Sequence, residues 1–154
     1  MLTPEEKQEI EHEFRLYPRK QAACIEALKV VQKHHGWVSD ENIKDLSEIL
    51  EMSVEEIDSV ATFYNLLYRR PVGKYVILLC DSVSCYIMEY ETILQHLEKS
   101  LGIKYGETTA DGRFTLLPVP CLGTCDHAPA MMVGKDLHRD LTPDKIDKIL
   151  ADYK

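Results

Sequence analysis

The sequence predicts an α/β fold preceded by a small N-terminal bundle of helices. Two observations support this prediction. Apolar residues recur at helical spacing through the N-terminal part, and a nearly continuous apolar run of strand formers begins at Lys74. A chain of 154 residues suits one compact domain with a helical extension and is too short for two complete enzymatic domains. We therefore expect a helical bundle over residues 1–72 and an α/β domain over residues 73–154.

Four segments of the N-terminal part carry helix signals. They combine capping or stop residues with apolar positions three and four residues apart, which is the pattern of a short amphipathic helix. The first expected helix begins at Thr3-Pro4-Glu5-Glu6, which offers an N-cap and a capping-box glutamate, and the second runs from about Arg19 to His35 and stops at Gly36. The third contains Ile43, Leu46 and Leu50. The fourth follows the capping box of Ser53 and Glu56 and continues through Val54, Ile57, Ala61 and Tyr64.

The C-terminal part has a different period, in which short apolar runs alternate with helical patterns and glycine turns. The expected elements are a strand from Lys74 to Cys80, a loop over DSVSCY, a helix with Ile93, Leu94, Leu97 and Leu101, a strand from Arg113 to Val119, a hairpin of Ala130–Val133 and Leu137–Arg139, and a final helix after Thr142-Pro143-Asp144. This order of elements matches a thioredoxin-like sandwich.

Four of the five cysteines stand where the two longer predicted strands end. Cys80 and Cys85 lie in CDSVSC after the first strand, and Cys121 and Cys125 lie in CLGTC after the second. In an open α/β sheet both loops can lie at the carboxyl edge, where such folds build their sites. We therefore expect the four sulfur atoms to converge. An odd number of cysteines without a secretory signal favours metal ligation over disulfides.

Four thiolates suit either an iron-sulfur cluster or zinc. Structural zinc sites separate paired cysteines by two to four residues, so CxxxC is admissible and CxxxxC lies at the limit. A two-iron cluster is larger, and plant-type ferredoxins also contain a CxxxxC segment. A Rieske centre needs two histidines, and only His127 lies close to one of these cysteines. The spacing favours a 2Fe-2S cluster held by cysteine alone and leaves a structural zinc site open.

The loops that carry these cysteines have further features that suit an anionic cluster. Gly123 lets the chain bend and approach closely, and Ser82, Ser84 and Thr124 supply hydroxyl groups. The same residues are also ordinary turn formers, and that simpler interpretation stays open.

Cys24, His34 and His35 are given structural roles. Cys24 lies among alanines on the second helix and is predicted to be a buried, inert thiol. The two histidines precede Gly36 and favour the dipole at the end of that helix. A thiol-disulfide enzyme would need a CxxC motif, and the sequence contains none. No residue is assigned a catalytic role.

Composition limits the partners and the location. A net charge of -8 argues against binding to nucleic acid. The apolar runs are far shorter than the roughly 20 residues of a membrane span, and the acidic N-terminus does not look like a secretory signal. No GxGxxG follows a strand, and no GxxxxGK precedes Ser or Thr, so no nucleotide site is expected on this chain. We expect a cytoplasmic protein without direct membrane insertion.

Three segments carry a likeness to a known family: CDSVSC, TTADGRFTLLPVPCLGTC with the following DHAPAMMV, and ATFYNLLYRRPVGKYV. They closely resemble the thioredoxin-like 2Fe-2S subunit of bacterial respiratory complex I (NADH:quinone oxidoreductase), the NuoE family. The likeness runs over nearly the whole chain. It implies that Cys80, Cys85, Cys121 and Cys125 occupy the four ligand positions of the family.

The resemblance implies a thioredoxin-like 2Fe-2S ferredoxin domain that transfers electrons, with FMN and NADH on a neighbouring flavin subunit. It also implies contact with a further iron-sulfur subunit, in the peripheral arm on the cytoplasmic side of the inner membrane. The edge from Tyr64 to Arg70 is then expected to dock on the flavin subunit. Related subunits occur in NAD-reducing hydrogenases and formate dehydrogenases, so these assemblies remain alternatives.

Overall fold

The computed structural model describes residues 1–153. The chain divides into two compact units, Met1–Pro71 and Val72–Lys154. The first consists of helices, and the second contains a four-stranded sheet with its own helices. Each unit has its own cluster of buried apolar residues, which is the main source of stability for a compact unit.

The first unit is a bundle of four α-helices, as the sequence predicts. Ile10, Leu28, Leu46 and Ile57, one from each helix, are completely buried in its core. Their spacing from other buried residues on the same helix follows the amphipathic pattern. The helices are α1 (Pro4–Phe14), α2 (Cys24–His35), α3 (Asp40–Leu50) and α4 (Val54–Phe63).

Both predicted capping boxes are present. The hydroxyl of Thr3 accepts a hydrogen bond from the backbone N–H of Glu6 at 3.2 Å, and the carboxylate of Glu6 accepts one from the backbone N–H of Thr3 at 2.8 Å. Ser53 and Glu56 make the same reciprocal pair at the start of α4. These side chains satisfy backbone donors that have no partner inside the helix.

Two predicted helix boundaries are corrected by the structure. The pattern predicts a second helix from about Arg19, but Lys20–Ala23 form a 3-10 turn and α2 begins at Cys24. The pattern also extends the fourth helix to Tyr64, which instead has extended backbone angles (φ -90°, ψ 112°). Apolar spacing reports which face is buried, and it does not report where backbone hydrogen bonding stops.

The second unit is built on a sheet with the strand order β2-β1-β3-β4. β1 and β2 are parallel, whereas β3 is antiparallel to both of its neighbours. Every residue of β1 after Tyr75 is buried, as expected of a nearly continuous apolar run. Each strand lies at its predicted place along the chain, within one residue of the predicted bounds. The strands are β1 (Tyr75–Cys80), β2 (Phe114–Val119), β3 (Met131–Val133) and β4 (Asp136–His138).

Three α-helices accompany this sheet: α5 (Val83–Ile87), α6 (Tyr90–Leu101) and α7 (Pro143–Asp152). Ile93 and Leu97 of α6 and Ile146 of α7 share a core with Ile77 and Leu79 of β1. The prediction that DSVSCY is only a loop is wrong, because α5 begins within it. A helix of five residues is too short to display an apolar period.

The parallel pairing of β1 and β2 brings the two cysteine-bearing segments to one edge of the sheet. Cys80, the last residue of β1, lies opposite Val119, the last residue of β2. Cys121 follows two residues later. The carboxyl ends of the two strands therefore meet as the sequence predicts.

Across residues 1–153, no helix combines the length and the apolar character that crossing a membrane requires.

Candidate metal centre

The structure brings the four predicted site cysteines together. Cys80 ends β1, Cys85 lies in α5, and Cys121 and Cys125 lie in the segment that follows β2. All four line one small cavity. Its other lining residues are Leu122, Thr124 and Ala130.

The cysteines of the two segments differ in exposure. Cys80 and Cys85 are each only 2% exposed, whereas Cys121 and Cys125 are exposed. The Sγ atoms of Cys121 and Cys125 lie 3.7 Å apart. The cavity therefore has a buried thiol pair on one side and a pair that is accessible from the surface on the other.

Gly123 shapes the loop between the two exposed cysteines. Its φ is +73°, a left-handed backbone angle that favours glycine, and its N–H donates a hydrogen bond to the Sγ of Cys121 at 3.3 Å. A Cβ atom at this position would meet no protein atom within 4 Å. The predicted bend is thus confirmed. Glycine is favoured at this position by the backbone angle and not by close contact with other protein atoms.

The thiols influence each other's ionisation. The N–H of Gly123, and after it the thiol of Cys125, hold the pKa of Cys121 below its ordinary value by hydrogen bonding to its sulfur. The neighbouring Cys121 sulfur in turn raises the pKa of Cys125. Burial, together with a hydrogen bond to Cys80, raises the pKa of Cys85 to about 11. The pKa of Cys121 is therefore lowered, whereas Cys85 and Cys125 resist negative charge.

A cationic metal group would reverse this resistance, because coordination to a metal deprotonates thiols. Four soft sulfur donors around one cavity suit such a group. Within residues 1–153, no three His, Cys, Asp or Glu side chains are grouped so that they could hold one metal ion. A 2Fe-2S cluster takes its four protein ligands two to each iron, and four cysteines at one cavity supply that number.

Cys24, His34 and His35 lie in surroundings that indicate structural roles. Cys24 is buried in the helical unit, as predicted, and burial raises its pKa to about 11. His34 and His35 do more than favour a helix dipole, since their Nε2 atoms lie 3.0 and 2.7 Å from carboxylate oxygens of Glu9 and Glu6. The sequence interpretation missed these pairs because the partners are more than twenty positions away.

The fold and the sulfur-lined cavity define a class of protein that comparison with known families identifies. Residues 10–154 match the thioredoxin-like 2Fe-2S ferredoxin family, and this span includes all four cavity cysteines. The protein thus carries a 2Fe-2S cluster, as members of that class do.

Named bacterial relatives make the assignment more specific. The E subunit of the NADH-quinone oxidoreductase of Pseudomonas aeruginosa is 49% identical over 153 residues, which are 99% of this chain and 92% of that protein. The corresponding E subunit of Escherichia coli strain K12 is 50% identical over the same shares. This chain therefore belongs to the family of NADH-quinone oxidoreductase E subunits, within the thioredoxin-like 2Fe-2S ferredoxins.

A solved structure has a similar fold. The NAD+-reducing NiFe hydrogenase in its air-oxidised state superposes with a TM-score of 0.72 over 85% of this chain, at 24% sequence identity. The superposed part is 22% of the hydrogenase chain, so this protein corresponds to about a fifth of that polypeptide. At this level of identity the likeness shows the fold alone.

Proposed function

We propose that this chain is an electron-transfer subunit of an NADH:quinone oxidoreductase (complex I), with its 2Fe-2S cluster beside the subunit that binds FMN and NADH. The observation that carries the proposal is the cavity lined by four cysteines in a chain that belongs to the family of NADH-quinone oxidoreductase E subunits. A bound 2Fe-2S cluster supplies one-electron chemistry at this cavity. The chain contributes to the oxidoreductase as a subunit and has no complete active site of its own.

In this proposal Cys80, Cys85, Cys121 and Cys125 are the cluster ligands. The buried sulfurs of Cys80 and Cys85 keep water from their side of the cavity, whereas the other two lie near the surface. The N–H of Gly123 stabilises negative charge on the sulfur of Cys121. The exposed side is then the side through which an electron enters or leaves.

Two exposed apolar surfaces support partners for this chain. In the second unit, Val83, Tyr86, Ile87 and Met88 form what we call the α5 patch, with exposures of 71, 60, 73 and 53%. Cys85 belongs to the same short helix as three of these residues, Val83, Tyr86 and Ile87. Contiguous exposed apolar residues mark contact sites between proteins. We propose that the α5 patch contacts the FMN-binding subunit, because an electron donor has to approach the cluster closely.

In the helical unit, Phe63, Tyr64 and Leu66 are exposed apolar residues that lie close together in the sequence. They overlap the edge from Tyr64 to Arg70 that the sequence suggests for docking. Arg69 in that edge is already engaged, since its guanidinium pairs with Asp58 at 2.8 Å. We therefore assign docking on this unit to the aromatic and leucine side chains at the start of the edge. The neighbouring iron-sulfur subunit is the further proposed partner.

The proposed function is tested by asking whether the cluster accepts electrons from NADH through the flavin subunit. The cluster-loaded chain is mixed anaerobically with the FMN-loaded partner and NADH, and cluster reduction is followed by visible absorption and by electron paramagnetic resonance. Reduction is expected only when partner and NADH are both present. A cluster that dithionite reduces, but that NADH and the flavin subunit leave oxidised, would show that the proposed function is wrong.

The choice of an NADH-quinone oxidoreductase over a hydrogenase or a formate dehydrogenase rests on the named relatives and not on the fold. The relatives at 49 and 50% identity are named as subunits of NADH-quinone oxidoreductase, whereas the hydrogenase likeness is one of fold. In this proposal the chain lies in the peripheral arm on the cytoplasmic side of the inner membrane and is held there by protein partners. Co-purification with hydrogenase or formate dehydrogenase subunits, instead of a quinone reductase, would contradict it.

A further inference from the structure

Thr124 carries a buried hydroxyl group that the protein leaves without a partner. The residue is only 6% exposed, and its Oγ1 atom is inaccessible to solvent. Within the described residues, no hydrogen-bond partner of this oxygen is found. A buried hydroxyl without a partner is unfavourable, because it loses its bonds to water and gains none in return.

Among residues 1–153, the other buried polar side-chain atoms have a hydrogen bond or, where they lack one, lie near an opposite charge. The hydroxyl of Thr115, which is 2% exposed, bonds to the hydroxyl of Thr108 at 2.7 Å. The Oδ2 atom of Asp45 lies 3.1 Å from the N-terminal ammonium, and the Nε atom of Arg113 lies 3.4 Å from a carboxylate oxygen of Asp111. Thr124 is therefore distinct among the buried polar side chains in the part of the chain that the structure describes.

The hydroxyl of Thr124 does not cap the turn that follows it either. Thr124 precedes the 3-10 turn Cys125–His127, a position at which a threonine side chain ordinarily accepts a hydrogen bond from the turn. Here the side chain makes no such bond, and the backbone carbonyl of Thr124 accepts from the N–H of His127 at 3.0 Å instead. The capping role that explains most threonines in this setting is absent at this residue.

Thr124 lines the same cavity as the four cysteines. A threonine hydroxyl offers one O–H donor, and the sulfur atoms of an iron-sulfur cluster and its thiolate ligands are acceptors. We infer that the Thr124 hydroxyl donates a hydrogen bond to a sulfur of the 2Fe-2S centre and raises its reduction potential. This inference rests on the proposed ligand set. The reason for the direction is charge: reduction adds an electron, so the donor stabilises the reduced state more than the oxidised one.

The test compares Thr124→Val with Thr124→Ser in the full chain loaded with its cluster. Valine keeps the shape of the side chain and removes the hydroxyl, whereas serine keeps the hydroxyl. At a fixed applied potential near the midpoint, we expect the reduced-to-oxidised ratio to fall about fivefold in T124V and to stay near wild type in T124S. Redox titration followed by electron paramagnetic resonance measures both ratios.

A second measurement reports the hydrogen bond itself. Electron-nuclear double resonance of the reduced protein, compared in H2O and D2O, detects exchangeable protons next to the cluster. We expect one exchangeable coupling that is present in wild type and T124S and absent in T124V. If T124V does not hold a cluster, Thr124→Ala serves as the variant without a hydroxyl in both measurements.

The outcomes separate this inference from the proposed function. A wild-type chain that binds no 2Fe-2S cluster would overturn both. A wild-type cluster that forms normally, with the same potential and the same exchangeable couplings in T124V, would overturn only the role of Thr124. A lowered potential in both T124V and T124S would also overturn it, because the effect would then follow side-chain packing rather than the hydroxyl.

Discussion

The cysteines of the cavity and Cys24 differ in what surrounds them. The former share one cavity with other thiols, whereas Cys24 is 4% exposed within the helical unit, where burial raises its pKa to about 11. Cys85 is equally buried and has a similarly raised pKa, so burial does not separate the two kinds of cysteine. Cys24 differs because its core cluster contains no second cysteine that could share a metal. The number of cysteines in the sequence does not separate the proposed ligands from Cys24, whereas the surroundings of each thiol do.

Replacing Cys125 with serine is therefore expected to remove or strongly destabilise the cluster, because an oxygen ligand suits iron in this site less well than thiolate sulfur. Cys121→Ser should behave in the same way. Iron, acid-labile sulfide and visible absorption per chain measure the loss. Cys24→Ser is the matched control and should keep the full cluster content. Iron retained in Cys125→Ser but lost in Cys24→Ser would contradict the ligand assignment.

Glu6 is the buried carboxylate of the helical unit, with no exposed side-chain surface. It accepts hydrogen bonds from the backbone N–H and the hydroxyl of Thr3 at 2.8 and 2.7 Å, and one of its oxygens lies 2.7 Å from the Nε2 of His35. Burial alone would raise the pKa of this carboxyl, but the hydrogen bonds from Thr3 and His35 outweigh it and hold the pKa below 4.5.

A lowered pKa in the folded state means that Glu6 stabilises the protein above pH 4.5, and that this contribution is lost as the pH falls through the folded-state pKa. Glu6→Gln is expected to reduce the free energy of unfolding by about 1–3 kcal/mol at pH 7, since hydrogen bonds to a charged group are lost. The difference from wild type should shrink as the pH drops below 4.5.

Urea unfolding followed by circular dichroism at several pH values measures this difference. Glu5→Gln is the matched control, because Glu5 is exposed on the same helix, and its effect should stay within about 0.5 kcal/mol. A difference between Glu6→Gln and wild type that does not depend on pH would contradict this role of the Glu6 carboxylate.

At the scale of elements, two helix starts could be predicted from their capping boxes. Thr3 with Glu6 and Ser53 with Glu56 are capping boxes that the sequence displays directly. A third box, Ser39 with Asn42 at the start of α3, escaped prediction because asparagine replaces the usual Glu or Gln. Capping is a local interaction between residues three positions apart, and for that reason a sequence can reveal it.

Ser53→Ala is expected to destabilise the protein by about 1 kcal/mol, because the N–H of Glu56 loses its acceptor. The midpoint of urea unfolding should fall while its slope stays constant. Ser59→Ala, on the exposed face of the same helix, is the control and should change stability by less than about 0.5 kcal/mol. Equal effects of the two substitutions would argue against the cap.

The short helix α5 shows where element prediction ends. Its five residues carry Cys85 into the cavity and expose Val83 and Ile87, and no apolar period marks it in the sequence. Glu89 follows closely with a left-handed φ of 65° at the start of α6, at a position where the sequence has no glycine. Such a connection is set by the packing of the elements on either side, and so it depends on the fold.

At the scale of the whole molecule, the α5 patch lies beside the redox site, and a protein contact there would place the electron donor near the cluster. If the α5 patch makes the proposed contact, Ile87→Lys is expected to weaken binding to the proposed flavin-subunit partner by about tenfold or more, because burying a lysine in an apolar contact is unfavourable. Cluster content should not change, since Ile87 is 73% exposed and is not a lining residue of the cavity.

Analytical ultracentrifugation or a pull-down with the tagged flavin subunit measures this binding. Leu16→Lys is the matched control, because Leu16 is 67% exposed and belongs to neither apolar surface. Unchanged binding in Ile87→Lys, together with normal cluster content, would remove the α5 patch from the proposed interface.

The sequence by itself determined the features that are encoded over a few residues. Caps and apolar spacing predicted the helices, the apolar run after Lys74 predicted β1, and the cysteine spacing with its family likeness predicted a 2Fe-2S cluster. Each of these signals comes from residues that are close in the chain, where backbone geometry alone relates their side chains.

Only the tertiary structure decided how these features combine. The position of Cys80 opposite Val119, the burial of Cys80 and Cys85 against the exposure of the other pair, and the unpartnered hydroxyl of Thr124 all depend on segments about forty positions apart. Burial and hydrogen-bond satisfaction are properties of the packed chain, because they depend on which distant residues come into contact. A local sequence pattern carries no record of those contacts.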